Sequence, residues 1–184
     1  MTAVPPAPAP AALPLTAPTL RRRMAAFVYE GVLLFGVLMV AGMIYSPLTG
    51  QHHALQGKTG LQVFVFLVLG LYFTWFWSHG GQTVAMKAWH LRLVDAVGRP
   101  VRPARAAVRY LLAWLWFVPA LATVGLAGLH GPAAIWSALL ANVAGYALIS
   151  RLRPDRQFWH DAVCGTRLVQ AAVKPGRAPA QSAA

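Results

Sequence analysis

The sequence predicts an all-α membrane protein. The expected architecture is four transmembrane helices, with short cytoplasmic amphipathic helices and a small β element on one side. Three observations carry this. Of 184 residues, 58% are hydrophobic and only 11% are charged, against about 25% charged in a soluble domain. Four apolar stretches are each close to the ~20 residues that cross a hydrocarbon core. And the basic residues fall almost entirely on one side of those stretches.

Each segment can be justified in chain order. Residues 1–20 hold Pro5, Pro6, Pro8, Pro10, Pro14 and Pro18 among alanines, so no apolar period survives and a disordered tail is expected. The apolar core that follows is too long and comes too late for a cleaved signal peptide. The membrane domain is placed at 21–170, with spans at about 24–45, 61–78, 110–129 and 133–150. Span two ends in Tyr72, Phe73, Trp75, Phe76 and Trp77, which reads as an aromatic belt at an interface. Pro119 is expected to kink span three. Residues 171–184 form a second disordered tail.

Fifteen of the sixteen Lys and Arg lie on one side, and Lys58 alone lies on the other. The positive-inside rule therefore places both termini and the 79–109 loop in the cytoplasm. The net charge of +12 is thereby explained by bases at helix ends. Their expected partners are anionic lipid headgroups rather than nucleic acid. Arg102, Arg105 and Arg109 recur at i, i+3 and i+7 and predict a basic face lying on those headgroups.

The two cytoplasmic segments carry local structure. Gln82–Trp89 can form a short helix, and His90–Asp95 has strand period. Asp155 can cap a helix of about eight residues that Gly165 ends, and 166–170 reads as a strand. Two short strands are unstable alone, so these are expected to pair. Gln82 precedes Arg92-Leu93-Val94 by ten residues, as Gln157 precedes Arg167-Leu168-Val169. That echo predicts a tandem repeat of two helices, a short helix and a strand.

These residues carry a resemblance. The chain resembles the RDD family of bacterial membrane proteins, named for one arginine and two aspartates. The first helix supplies Arg22-Arg23, Ala26 and Glu30. The middle loop supplies Gly81-Gln82-Thr83, then Leu91-Arg92-Leu93-Val94-Asp95 and Gly98. The close supplies Arg156-Gln157, His160-Asp161 and Gly165-Thr166. Glu30 stands where the family has aspartate. The resemblance covers about 21–170. It implies an integral inner-membrane protein of unsettled role. Cation–proton exchange has been proposed for some members, and a eukaryotic relative looks like an assembly partner in a membrane complex.

Glu30 is the main functional candidate, because an acid in an apolar helix costs on the order of 2.5–3.5 kcal/mol on insertion scales. Two turns separate it from Arg23. Its candidate partners are Arg22, Arg23, Arg109 and Asn142, with Asp161 reaching Arg22 or Arg23 from below. Arg22, Arg23, Glu30, Arg109 and Asp161 are therefore expected to form one charge cluster. The cluster reads as a structural clamp, as a proton or cation site, or as a partner-docking site. No catalytic set, metal site or cofactor cradle stands out. His160-Asp161 lacks further ligands, His52-His53 has no acid beside it, and Cys164 reads as a reduced packing residue. Small residues four apart in span four, Ala134, Ala138, Ala141 and Gly145, allow close packing within the chain or in a homo-oligomer. Two functions remain open at this level. One is transport coupled to a cation or proton at Glu30. The other is a non-enzymatic scaffold for a membrane-protein partner.

Overall fold

The computed structural model describes residues 16–50, 58–129 and 131–171. Both predicted tails, apart from their edges, and His52-His53 lie outside the described residues. Helix α1 spans Leu20–Thr49. It begins four residues before the expected span, where the Thr19 hydroxyl accepts the Arg22 N–H at 3.4 Å. Its 30 residues give roughly 45 Å at 1.5 Å per residue, longer than the ~30 Å hydrocarbon core. Helix α2 spans Lys58–His79. The short α3, Val84–Ala88, is capped by Thr83 and leads into β1, Leu91–Asp95.

The second half repeats this order with one break. Helix α4, Pro103–Ala113, passes through a 3-10 turn at Trp114–Trp116 into α5, Val118–Leu126. Then come α6, Pro132–Leu152, α7, Trp159–Val163, and β2, Thr166–Gln170. Helices α1, α2 and α6 are each long and apolar enough to cross a membrane. The α4–α5 pair passes the same test only as a unit bent by 44°. The described residues thus hold three candidate spans, or four if the bent pair is one.

The bend has a chemical cause. Pro119 has no N–H to offer the carbonyl four residues back. That carbonyl, of Leu115, instead accepts from the Asn142 amide on α6 at 3.2 Å, and the Trp116 carbonyl accepts from the same amide at 2.7 Å. Asn142 is therefore occupied at the break and is not a partner of Glu30.

Strands β1 and β2 pair antiparallel with Leu93 opposite Leu168, as expected. The register is symmetric about that pair: Leu91 faces Gln170 and Asp95 faces Thr166. Under the repeat that equates Arg92 with Arg167, each strand therefore meets its own counterpart in the other half. Gly81 sits at φ +70°, and a Cβ there would press on the Leu93 carbonyl. Its own carbonyl accepts the Leu93 N–H at 2.7 Å.

The core lies where the helix bases meet this helix–strand layer. Leu91, Leu93, Leu168, Met86, Ala106, Ala26 and Trp77 pack together there. Farther along the spans, large apolar side chains point outward: Val32, Phe35, Met43, Leu67, Leu71 and Leu140 are all at least 60% exposed. Such a surface is an anomaly in water and the expectation in lipid.

Two local expectations change. The aromatic run of α2 does not face outward as a whole. Trp77 is buried, Tyr72, Phe73 and Phe76 are half-buried, and Trp75 is exposed. Phe73 packs on Trp77 at 4.8 Å. Asp155 does not cap α7, whose cap residue is Phe158. Its carboxylate instead accepts from Gln157 N–H at 3.2 Å and pairs with Arg153 at 3.1 Å, which closes the turn before the helix.

Candidate functional site

The polar residues predicted as one cluster separate into three groups. The first is an ion pair at the base of α4. Arg109 Nε meets Asp161 Oδ1 at 2.6 Å, and both side chains are buried. Arg102 and Arg105 are exposed, but Arg109 turns inward, so the expected basic face loses its last member. Its guanidinium also lies over the Trp77 ring, 4.1 Å from the centroid. Thr166 donates to the Asp161 main-chain carbonyl at 3.2 Å and to its carboxylate at 3.3 Å. Burial alone would raise the Asp161 carboxyl, but Arg109 and His160 outweigh it and hold it below the usual carboxylate range.

His160 completes this group. The Tyr146 hydroxyl lies 2.8 Å from its Nδ1 and accepts its backbone N–H at 3.1 Å. Burial pushes the imidazole down to about 4, against a weaker upward pull from Asp161. The ring is therefore neutral at neutral pH. A neutral ring that accepts from Tyr146 at Nδ1 carries its hydrogen on Nε2, which faces Asp161 Oδ1 at 3.7 Å.

The second group is Glu30. It forms no ion pair with Arg22, Arg23 or Arg109 among the described residues. Instead the Tyr72 hydroxyl donates to Oε1 at 2.8 Å, and the Thr83 hydroxyl donates to Oε2 in a short bond. Thr83 can donate because its oxygen is already the acceptor for the Met86 N–H at 3.2 Å. This single threonine caps α3 and binds Glu30 at once. Glu30 thus sits where α1 meets both α2, through Tyr72, and the start of α3, through Thr83. The first ten residues of α1 run alongside the layer.

The third group is Arg23. It is 4% exposed. Its Nη2 reaches Ser150 at 3.4 Å and its guanidinium lies 4.3 Å above the Phe158 ring. Nε and Nη1 are buried and have no hydrogen-bond partner among the described residues. Arg22 is half-exposed and stays outside all three groups. Asp161 therefore meets Arg109, not Arg22 or Arg23.

The remaining motif residues build the layer that holds these groups. The Gln82 amide donates to the Leu91 carbonyl at 2.5 Å. Gln157 grips β2 at both ends of its amide, to Leu168 O at 3.1 Å and from Leu168 N at 2.9 Å. Asp95 accepts from Val97 N at 2.9 Å and Arg99 N at 2.8 Å. Those bonds, led by the Arg99 N–H, hold its carboxyl below the usual range. Gly98 and Gly165 adopt φ +87° and +60° at the turns, and Arg92 is exposed on β1. Asp95, Asp161, Arg23 on the first helix, the G-Q-T segment and the H-D pair of α7 thus belong to one folded unit.

The family model of the RDD family matches residues 17–165. The chain belongs to the RDD family. RDD proteins are membrane proteins, in agreement with the lipid-type surface of the spans. The matched segment begins just before α1 and ends at the turn before β2, slightly short of the predicted end at 170. Neither the curated proteins nor the solved structures yield a match to this RDD chain.

Glu30, Arg23 and Arg109 all line one cavity of about 440 Å³. One stripe of α1 forms a wall: Arg23, Ala26, Phe27, Glu30, Gly31 and Leu34, the spacing of a single helix face. Leu69, Phe73 and Trp77 of α2 form a second wall, and the α4–α5 break forms a third. Met86, Leu91, Phe158, His160 and Leu168 form the floor. Sequence reasoning missed Tyr72, Ser150 and Tyr146. Each is a hydroxyl inside an apolar helix, which was the available signal.

Proposed function

We propose that this RDD chain is a transport-type protein of four spans, with both termini in the cytoplasm, and that Glu30 is its exchangeable proton or cation site. One observation carries the reading. Among the described residues, Glu30 is a buried carboxylate held only by two hydroxyls, at the wall of a cavity. A carboxylate paired with arginine cannot take up a proton without stranding a buried cation, which costs several kcal/mol. Glu30 has no such partner among the described residues, so protonation costs it one hydroxyl hydrogen bond at most. Carboxylate and hydroxyl oxygens also suit a hard alkali cation. Asp161, by contrast, is locked to Arg109 and takes the clamp role.

The test is proton flux in proteoliposomes, followed with an internal pH dye under an imposed sodium or potassium gradient. Wild type is expected to move protons faster than empty vesicles. Glu30→Gln is expected to abolish the difference while melting close to wild type, because Gln still accepts from Tyr72. Equal flux in both proteins would sink the proposal. Orientation is tested separately, in a Cys164→Ala background. Arg92→Cys is expected to react with an impermeant maleimide only after cells are opened.

A further inference from the structure

We propose that the cavity is a binding site for one anionic phospholipid of the inner leaflet, with its phosphate on Arg23 and part of an acyl chain between α1 and the α4–α5 break. The inference is independent of ion flux at Glu30.

Three features converge on that occupant. The cavity is almost wholly apolar above its floor, being walled by Phe27, Leu34, Leu69, Phe73, Trp114 and Phe117. Its volume of about 440 Å³ falls within the ~300–1,000 Å³ typical of small-molecule sites. It also opens sideways. The wall residues Val28, Gly31 and Phe117 are exposed, and they lie on apolar helix surface rather than on the layer. A ligand entering there comes from the lipid phase.

The polar end carries spare donors and a spare positive charge. Arg23 leaves Nε and Nη1 without partners, and Trp77 Nε1 is likewise unpartnered among the described residues. Both residues line the cavity. An unsatisfied buried donor costs about 1–3 kcal/mol, more when charged. Arg109 is neutralised by Asp161 at 2.6 Å, and His160 is held neutral by burial. Glu30, two turns up α1, is turned to Tyr72 and Thr83. Among the described residues lining the cavity, Arg23 is thus the cation with no acid at ion-pair distance, Asp161 and Asp155 acting on it only from farther away, and a phosphate is the acceptor it fits. The exposed bases Arg21, Arg102 and Arg105 on the same side would gather anionic lipid around the mouth.

The experiment uses the full chain, delipidated in zwitterionic detergent. It is titrated with phosphatidylglycerol, with phosphatidylcholine of the same chains, and with inorganic phosphate. Native mass spectrometry and thermal shift are the readouts. Wild type is expected to take one phosphatidylglycerol and to melt several degrees higher, with at least tenfold weaker binding of phosphatidylcholine. Arg23→Gln is expected to erase that preference, whereas Arg22→Gln, which removes the same charge one residue away, keeps it. Gly31→Leu guards against misfolding of the Arg23 variant. A Cβ at Gly31 meets nothing within 4 Å, so a larger side chain is tolerated at this cavity-lining position, and it is expected to hinder lipid uptake with Arg23 intact. Equal protection by the two lipids would overturn the proposal. So would protection by phosphate alone, equal loss in Arg22→Gln, or wild-type uptake by Gly31→Leu.

Discussion

Among single residues, the separation of two buried acids governs what each can do. Asp161 is fully enclosed with Arg109. Asp161→Asn leaves that guanidinium buried and unpaired, so a loss of about 3–5 kcal/mol is expected, read as a large drop in melting temperature in nanodiscs. Replacing both partners with apolar residues, Arg109→Met with Asp161→Leu, is expected to lie closer to wild type than Asp161→Asn alone. His160 gives a pH signature. Its folded value is near 4, below the ~6.5 of a free imidazole, so the unfolded chain binds more protons between those values. Stability is therefore full above about pH 6.5 and falls as pH drops toward 4, by roughly 3 kcal/mol at 1.36 kcal/mol per unit. Asp161, held low, adds a further loss below its ordinary range. His160→Asn is expected to flatten the melting curve between pH 6.5 and 4 relative to wild type. A wild-type slope that survives the substitution would assign the titration elsewhere. The identities of these residues were legible in the sequence, but their pairing was not. Spacing along α1 put Arg23 and Glu30 on one face, yet a shared face does not fix what stands opposite.

For the elements, the two strands were read more closely than the short helices: α3 runs only Val84–Ala88 within the expected Gln82–Trp89, and α7 has five residues rather than about eight. Gly98 and Gly165 take the left-handed turns expected of them, and β1 and β2 fall within a residue of their expected limits. The errors arose where a distant side chain intervened. Pro119 correctly announced the kink in span three; what it could not announce is that Asn142 of α6 holds the freed carbonyls at the break. Asn142→Leu leaves two carbonyls in an apolar setting and is expected to cost about 1–3 kcal/mol. Pro119→Ala restores a donor for Leu115, so the double variant is expected to recover part of that loss. Strict additivity of the two changes in a thermal-shift cycle would show that Asn142 acts elsewhere. The aromatic run of α2 was misplaced for a related reason. Composition marks a residue as suited to an interface, whereas Trp77 is drawn inside by Arg109 stacking on its ring.

For the molecule as a whole, the two halves are joined through a register that is symmetric about Leu93 and Leu168. Both leucines are buried, so Leu93→Ala and Leu168→Ala are each expected to cost about 2–5 kcal/mol. Because they pack in one core, the double variant is expected to fall short of the sum, and fully additive losses would count against a common centre. The sequence by itself determined the family, the membrane character, the element order and the pairing of the two strands. These follow from apolar length, basic asymmetry, turn chemistry and alternation, all of which act over a few residues. Only the tertiary structure decided that Glu30 is met by Tyr72 and Thr83, that Arg109 closes on Asp161, and that Arg23 keeps free donors at the end of an apolar cavity. The physical reason is that a buried charge is settled by whichever groups packing brings within about 3 Å, and those groups stand 42, 53 and 52 residues away along the chain.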